Sequence, residues 1–576
     1  MVRCVCMLAL VLFVPCVVFA QSPPPPLPNV HPRLLLDATT LNTLRARAAA
    51  GDANWISLKQ QCDAYLNGRV FLPNSGKDSS NPPDVGPGYQ GQTYPPVLLA
   101  EGLCYQVGKA LGLPNATQYG DKAAAILVAM ATPTGSGGED PCTDDGWVIR
   151  MYGVGFGLGY DWAYDRLTPA QRTAVYTTAN TWVDSFQHAS CSAYVYAHPV
   201  SNYFAGFFHA QAVIALATYD ENPSGPTLWN DWFNTQFNTA ASSPPHVGVL
   251  PYFTSNLAGA GWPEGFGSYG PEATFNMSTP AMEASTATGR ALDIVNGSSA
   301  FRYPVEMADY LLHFTWPSRD YIDDRDENHS SGNASAPPPG ELDVSMLASV
   351  LGELRYWGMP NAPVFQEFLD EANVATGGFG VGDRLSAVPN RWRLFLFWDP
   401  AASKQPLDSL PRSYFARGMN AVAARADWSH GASWMSFRAG RYVENPDHAE
   451  ERYDQGSLAL VRGGTPLLVN GTGWIVHEPD GNAGEDGVLG DTLGYNNFCS
   501  GQRNPNILCA NNQLNNIFYV RNMSGATLND EFGQYGNTAA STKVSTFEDG
   551  YNYVLALGTS IEKMYKKFAA GTAVSC

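Results

Sequence analysis

Three stretches of the chain gather side chains able to move protons or to pair with anions. The first, Trp262-Pro263-Glu264-Gly265-Phe266-Gly267-Ser268-Tyr269-Gly270, sets a carboxylate and a phenol among glycines and aromatic rings. It falls in 244–278, which reads as one long Gly-rich connection. Long connections in compact domains are usually functional or disordered, and the aromatic residues here argue for order. The second is Ser201-Asn202-Tyr203 at the start of an apolar helical run. An amide placed there, with the positive end of a helix dipole behind it, suits a carboxylate; Asn is also a common helix cap. The third is His448, flanked by Arg438, Arg441 and Arg452, whose guanidinium forks match carboxylate or sulfate.

Helices must carry the first two groups. Helical patterning begins at Asp37, which caps a run over Leu41 and Leu44 that stops at Gly51. It continues near 54–67, 95–112, 119–132, 147–163, 170–188, 202–219, 225–242, 279–295, 303–315, 341–357 and 361–376, with Thr168-Pro169 as cap and first helical position of the fifth of these. About twelve helices in antiparallel pairs make six hairpins, and six hairpins close a ring, so an (α/α) toroid is predicted. After about residue 410 the period changes to alternation. Ala432–Arg438 and Ser457–Arg462 read as strands, Gly463-Gly464 as a turn, and Pro466–Asn470 as the returning strand. The fold class is therefore α+β multidomain, an N-terminal (α/α) toroid followed by an antiparallel β-sandwich. The divisions are 1–20 signal peptide, 21–30 Pro-rich linker, 31–405 toroid and 406–576 sandwich. Residues 551–560 still read as strand before a short basic tail, Lys563–Phe568, so the sandwich reads either as cut short at its C-terminus or as ending natively there.

Composition narrows the choice of partner. The chain has 576 residues, too many for a single core, and a formal charge of −19, which argues against general nucleic-acid binding. Its 14 Trp and 28 Tyr with only 15% charged residues argue against disorder. Residues 1–20 combine Arg3, a short apolar run and Ala20, the pattern of an export signal, and no later run is long enough to span a bilayer. Seven cysteines then remain, none in a C-x-x-C pair, with Cys499 and Cys509 bracketing a loop that a disulfide would close. The acidic total hides a local excess of positive charge. Residues 384–462 hold ten Arg and Lys404 against eight acids, a segment of +3 in a chain whose remainder is −22. An anionic partner would be met there.

His31-Pro32-Arg33-Leu34-Leu35-Leu36, Tyr160–Pro169, Ser201-Asn202-Tyr203, Trp262–Tyr269, and Asp447-His448 through Asp454–Ser457 and Arg462-Gly463-Gly464 together resemble the heparinase II/III-like and alginate-lyase-like polysaccharide lyases. The likeness spans the chain to about residue 475. It implies β-elimination at a uronic acid: an amide or protonated group neutralises the sugar carboxylate, a base takes the C5 proton, and an acid protonates the leaving oxygen. It implies Asn202 as neutraliser, Tyr269 as proton-transfer residue and His448 as a catalytic histidine brought by the second domain. Substrate contacts would come from Tyr203, His209, Trp262, Glu264, Arg438, Arg441 and Arg452. Two departures stand out: Tyr203 occupies the place of the family's usual His after the Asn, and the second sandwich His is absent. His209, two turns along the helix, is either a substitute base or a packed core histidine. No cofactor is implied, although His448, Glu450 and Asp454 offer one nitrogen and two carboxylates to a divalent metal. The expected partner is an anionic polysaccharide, with no nucleic acid and, after signal removal, no membrane; the expected location is secreted or periplasmic.

Two other readings compete. A glycoside hydrolase on the same toroid would need paired carboxylates, Glu264 with Asp161 or Asp165. A catalytically impaired glycan-binding protein would follow from the two departures.

Overall fold

In the computed structural model, the described residues are 22–75, 83–187, 199–239, 242–243, 246–266, 269–297, 300–322, 342–377, 382–383, 386–438 and 458–468, with the backbone of 541–548 and 551–557. The signal segment, His448, Arg441, Arg452, Glu450, Asp454, Cys499 and Cys509 lie outside them.

Fourteen α-helices occur among the described residues: α1 Ala38–Ala49, α2 Ala53–Leu66, α3 Tyr94–Leu111, α4 Ala116–Met130, α5 Ile149–Trp162, α6 Pro169–Gln187, α7 Asn202–Thr218, α8 Gly225–Asp231, α9 Val249–Asn256, α10 Tyr269–Ala287, α11 Tyr303–Phe314, α12 Val344–Tyr356, α13 Ala362–Ala375 and α14 Arg391–Phe397. Local chemistry sets their ends. The Asp37 carboxylate accepts from Thr40 N at 2.8 Å to start α1. Thr168 and Gln171 bond reciprocally to start α6, a capping box.

Two kinds of helix alternate. Every residue of α5 and α10 is buried, as are all but Tyr203 in α7, whereas α6 buries only Val175, Ala179, Trp182, Val183 and Phe186. A helix apolar all round belongs inside, and one with a single apolar stripe belongs outside. Contacts among the inner helices run from α3 to α5, α7, α10, α12 and α14, and from α14 back to α3. The outer helices pack onto this cycle: α4 on α3 and α5, α6 on α5 and α7, α8 on α7, α11 on α10 and α12, α13 on α12, and α2 on α14 and α3. Glycines let two inner helices approach closely. A Cβ on Gly206 of α7 would sit 2.3 Å from Arg150 Cα of α5, so only glycine allows this separation. A disulfide joins Cys62 of α2 to Cys104 of α3.

The structure corrects the reading of 244–278 as one loop. Val249–Asn256 is helical, and α10 starts at Tyr269 and ends at Ala287 instead of spanning 279–295. Gly270 and Pro271 sit in its first turn, where proline is tolerated because the N–H it lacks has no helical partner. The true connection is 257–268. Helix α14 had no counterpart in the sequence reading.

Two short hairpins, β1 Ser242–Ser243 with β2 His246–Val247 and β3 Gly382–Asp383 with β4 Ser386–Pro389, lie among the helices. After α14 the chain forms an antiparallel meander of β5 Ser413–Ala416, β6 Ala421–Arg425, β7 Ser433–Arg438, β8 Leu458–Arg462 and β9 Thr465–Leu468, in that spatial order. Ala421 pairs with Arg438, and Ser433 with Arg462. A separate hairpin joins β10 Ser541–Glu548 to β11 Tyr551–Leu557. A second layer facing the five-stranded sheet is not among the described strands. The sheet is fastened to the end of α11: Arg425 Nη2 donates to the carbonyls of Leu312, His313 and Thr315 at 2.8–3.0 Å. Tyr414 Oη and Gly418 N reach the carbonyls of Gly259 and Ala258, tying the 257–268 connection to the same sheet.

Candidate active site

Helices α5, α7 and α10 begin at one place. Arg150 is the second residue of α5, Asn202 the first of α7 and Tyr269 the first of α10. Three helix N-termini, each with a partial positive charge, therefore converge where these side chains lie.

Asn202 is not the cap of its helix; Ser201 occupies that position and makes no side-chain capping bond. The capping acceptor comes instead from the connection. Glu264 Oε2 accepts from Asn202 N at 3.0 Å, while Oε1 accepts from Asn202 Nδ2 at 2.8 Å. Trp262 Nε1 donates to Glu264 Oε2 at 2.8 Å. Asn202 Oδ1 accepts from Arg150 Nη1. The amide is thus fixed in orientation, and among the described residues one hydrogen of its NH₂ group has no acceptor. Burial pushes the Glu264 carboxyl up to about 7, and the bonds from Trp262 and Asn202 and the charge of Arg150 act against that rise.

The Arg150 guanidinium is the hub. Its carbon lies 5.0 Å from the ring centres of both Tyr203 and Tyr269 and 4.8 Å from that of Trp147. It is 1% exposed, its Nε donates to Trp147 O, and its Nη2 has no hydrogen-bond partner among the described residues. The sequence reading missed it. The available signal was a lone arginine inside an otherwise apolar helical run, Ile149-Arg150-Met151-Tyr152-Gly153-Val154.

Asn202, Glu264, Trp262, Tyr203 and Tyr269 are therefore brought together, and His209 is not with them. It faces the interior between α7 and α10, fully buried, with Nδ1 donating to Asn276 Oδ1 at 2.8 Å and Nε2 meeting Glu283 at 2.9 Å. That is a packed core histidine and not a sugar contact. Trp262 and Glu264 are each 1% exposed, so they hold Asn202 and do not form an open wall for a sugar. Arg438 is buried at the end of β7, beside Trp262, Phe266 and Met419 around a second pocket.

Among the described residues, the arginines of 384–462 do not form one patch. Arg425 is spent on carbonyls of α11, Arg391 bonds Ser57, Arg417 lies 3.8 Å from Glu306 and Arg393 pairs with Glu272. The acids that a hydrolase would use are also committed. Asp161 accepts from Arg33 N, Leu34 N and His31, and Asp165 pairs with Lys109 and Tyr105. The first two signature segments, 31–36 and 160–169, are thereby bonded to each other. Among the described residues no three His, Cys, Asp or Glu side chains are grouped to hold a metal, and no helix is long and apolar enough to cross a membrane.

No family model matches the sequence, and no curated protein matches it. Among solved structures the chain is similar to a heparinase III at 12% identity and a TM-score of 0.40, covering 91% of this chain and 74% of that one. It is similar to the heparan sulfate lyase of Pedobacter heparinus at 13% identity and a TM-score of 0.38, and to the chondroitin AC lyase of Streptomyces coelicolor A3 at 11% and 0.43. Each of these two covers 77% of this chain, which spans only 61% and 62% of their lengths.

Proposed function

We propose that the chain is an exported polysaccharide lyase that cleaves a uronic-acid-containing polymer by β-elimination. The observation that carries this reading is the buried Arg150–Asn202 pair at three converging helix N-termini beside Tyr269, with one guanidinium nitrogen left without a partner. Such a place favours an anion, and a uronate carboxylate is the anion whose neutralisation this chemistry needs.

In the proposed reaction Arg150 and Asn202 take the carboxylate and stabilise the added negative charge that forms as C5 loses its proton. The C5–H electrons become the C4–C5 double bond, the C4–O bond breaks, and the departing oxygen takes a proton. Tyr269 is the proton-transfer residue on this face, and His448 of the second domain is its proposed partner. Glu264 acts through Asn202 by fixing the amide. The commitment of Asp161 and Asp165 to structural bonds weighs against the hydrolase alternative.

The same proposal reads the cycle of inner and outer helices as the (α/α) toroid, ending near residue 405. It reads the five-stranded sheet as one layer of a β-sandwich over 406–576, and places the protein outside the cytoplasm. The test is incubation with alginate, hyaluronan, heparin and chondroitin. Ultraviolet absorbance from a conjugated unsaturated uronide is expected with at least one polymer; new reducing ends without that absorbance would overturn the lyase reading.

A further inference from the structure

A small pocket of about 20 Å³, room for a group little larger than a water, lies between the first turns of α3, α5, α10 and α14, with Arg150 in its wall. It is lined by Pro95, Glu272, Phe275, Trp392 and Arg393 as well. Arg393 is 5% exposed, and its Nη2 reaches both oxygens of Glu272 at 3.0 Å. Its carbon lies 3.8 Å from the Phe275 ring centre. Its Nε has no partner among the described residues.

Two guanidinium groups thus border one pocket, each with a buried N–H lacking an acceptor, opposed there by the single carboxylate of Glu272. A buried charged donor without an acceptor is costly, and each such group calls for an explanation. The N-termini of α3, α5 and α10 add positive potential at the same place, and Phe275, Trp392 and Pro95 close it with buried apolar surface.

We propose that this pocket is an anion subsite that receives a carboxylate or sulfate on the sugar adjoining the one that is cleaved, with Arg393 as the residue that binds it and Glu272 as the internal anion that limits its strength. The proposal rests on the lyase reading of the Arg150 cluster, because Arg150 is shared between the two. Arg393 is one member of the Arg-rich segment.

The test is calorimetric binding of defined alginate and heparan sulfate tetrasaccharides, in a Tyr269→Phe background so that cleavage does not enter the heats. Replacing the pair together, Arg393→Met with Glu272→Met, leaves no lone buried charge and is expected to weaken binding at least about tenfold. Loss with both sugars assigns a carboxylate site, and loss with the sulfated sugar alone assigns a sulfate site. Glu272→Gln is expected to tighten binding several-fold. If the paired replacement does not fold, Arg393→Lys keeps the ion pair, lacks Nε and is expected to weaken binding. A folded paired variant, or a folded Arg393→Lys, that binds both sugars as the parent does overturns the pocket, as does a parent that binds neither. Elimination by the Tyr269-containing chain together with unresponsive binding overturns the pocket alone. Responsive binding without any elimination overturns the lyase reading and leaves the subsite.

Discussion

Helices α7 and α10 carry two buried polar clusters, one at their N-terminal mouth and one about two turns deeper. The mouth holds Arg150, Asn202 and Glu264; the deeper cluster holds His209, Asn276, Glu283 and the neighbouring Glu353 of α12. Both are buried, and they are linked, since Asn276 Nδ2 donates to Arg150 O at 3.2 Å. They differ in the kind of atom left unpaired, an acceptor oxygen in one and a charged donor in the other. In the deeper cluster both ring nitrogens of His209 are engaged, one by Asn276 and the other by Glu283. Glu353, bonded through one oxygen to Trp357 Nε1, is pushed up to about 8, first by burial and then by the charge of Glu283, so it keeps its proton at neutral pH. At the mouth Arg150 keeps a charged N–H with no acceptor among the described residues. Among the described residues the deeper cluster leaves only a carboxyl oxygen, Glu353 Oε1, unpaired, whereas the mouth leaves a charged donor that suits an added anion.

The largest expected effect falls on the mouth. Tyr269→Phe should lower the rate of elimination by about 10³-fold or more, with oligosaccharide binding near normal, because only the hydroxyl is removed. An active Tyr269→Phe enzyme would end that residue's assignment. Next comes a blow to the deeper cluster. Glu283→Gln breaks a buried pair and should cost about 3–5 kcal/mol in denaturant unfolding, while the folded fraction keeps kcat within a few-fold. A large loss of kcat in well-folded Glu283→Gln would erase the distinction between the clusters. Third, Arg150→Lys retains the charge but loses the fork, and a fall in kcat/KM of about 10²-fold is expected, with little change in melting temperature.

Much of the helical frame was legible because helices announce themselves by period and by caps. Asp37, and Thr168 with Pro169, mark starts that the structure reproduces. The start of α10 was illegible for a definite reason. Gly265, Gly267, Gly270 and Pro271 read as loop, yet Gly270 is there because a Cβ would lie 2.0 Å from the Gly265 carbonyl oxygen, and Pro271 fits a first helical turn. Asn202, Glu264 and Tyr269 could be singled out by type and spacing. Their partnership with Arg150 could not, because it depends on how closely α5 and α7 approach at Gly206, a three-dimensional fact. For the same reason the Arg-rich segment was visible as a sum of charge, while the division of its members between α11 carbonyls, Glu272 and other partners was not.

The smallest effects concern pH, and they set the two clusters apart in a second way. Glu264 and Glu353 both have folded-state values raised above the ordinary 4.5, to about 7 and about 8. Between 4.5 and those values the folded chain holds a proton that the unfolded chain has released. The stability from each group is therefore complete below about 4.5 and is lost as pH rises, through about 7 for Glu264 and about 8 for Glu353, at no more than about 1.4 kcal/mol per pH unit for each. Glu353→Gln keeps the acceptor for Trp357 Nε1 and removes the titration, so melting temperatures measured from pH 5 to pH 9 should fall less steeply, with kcat unchanged. Glu264→Gln should flatten the part of the curve below about pH 7. It differs in its chemistry, because an amide has only one acceptor oxygen and its NH₂ must then face an N–H of Asn202 or Trp262. Asn202 would be turned away from Arg150, and kcat should drop roughly tenfold, an effect of about 1.4 kcal/mol on the barrier. A Glu264→Gln enzyme with the flattened curve and full activity would mean that Glu264 merely caps α7, and that the mouth, like the deeper cluster, is held together for the fold alone.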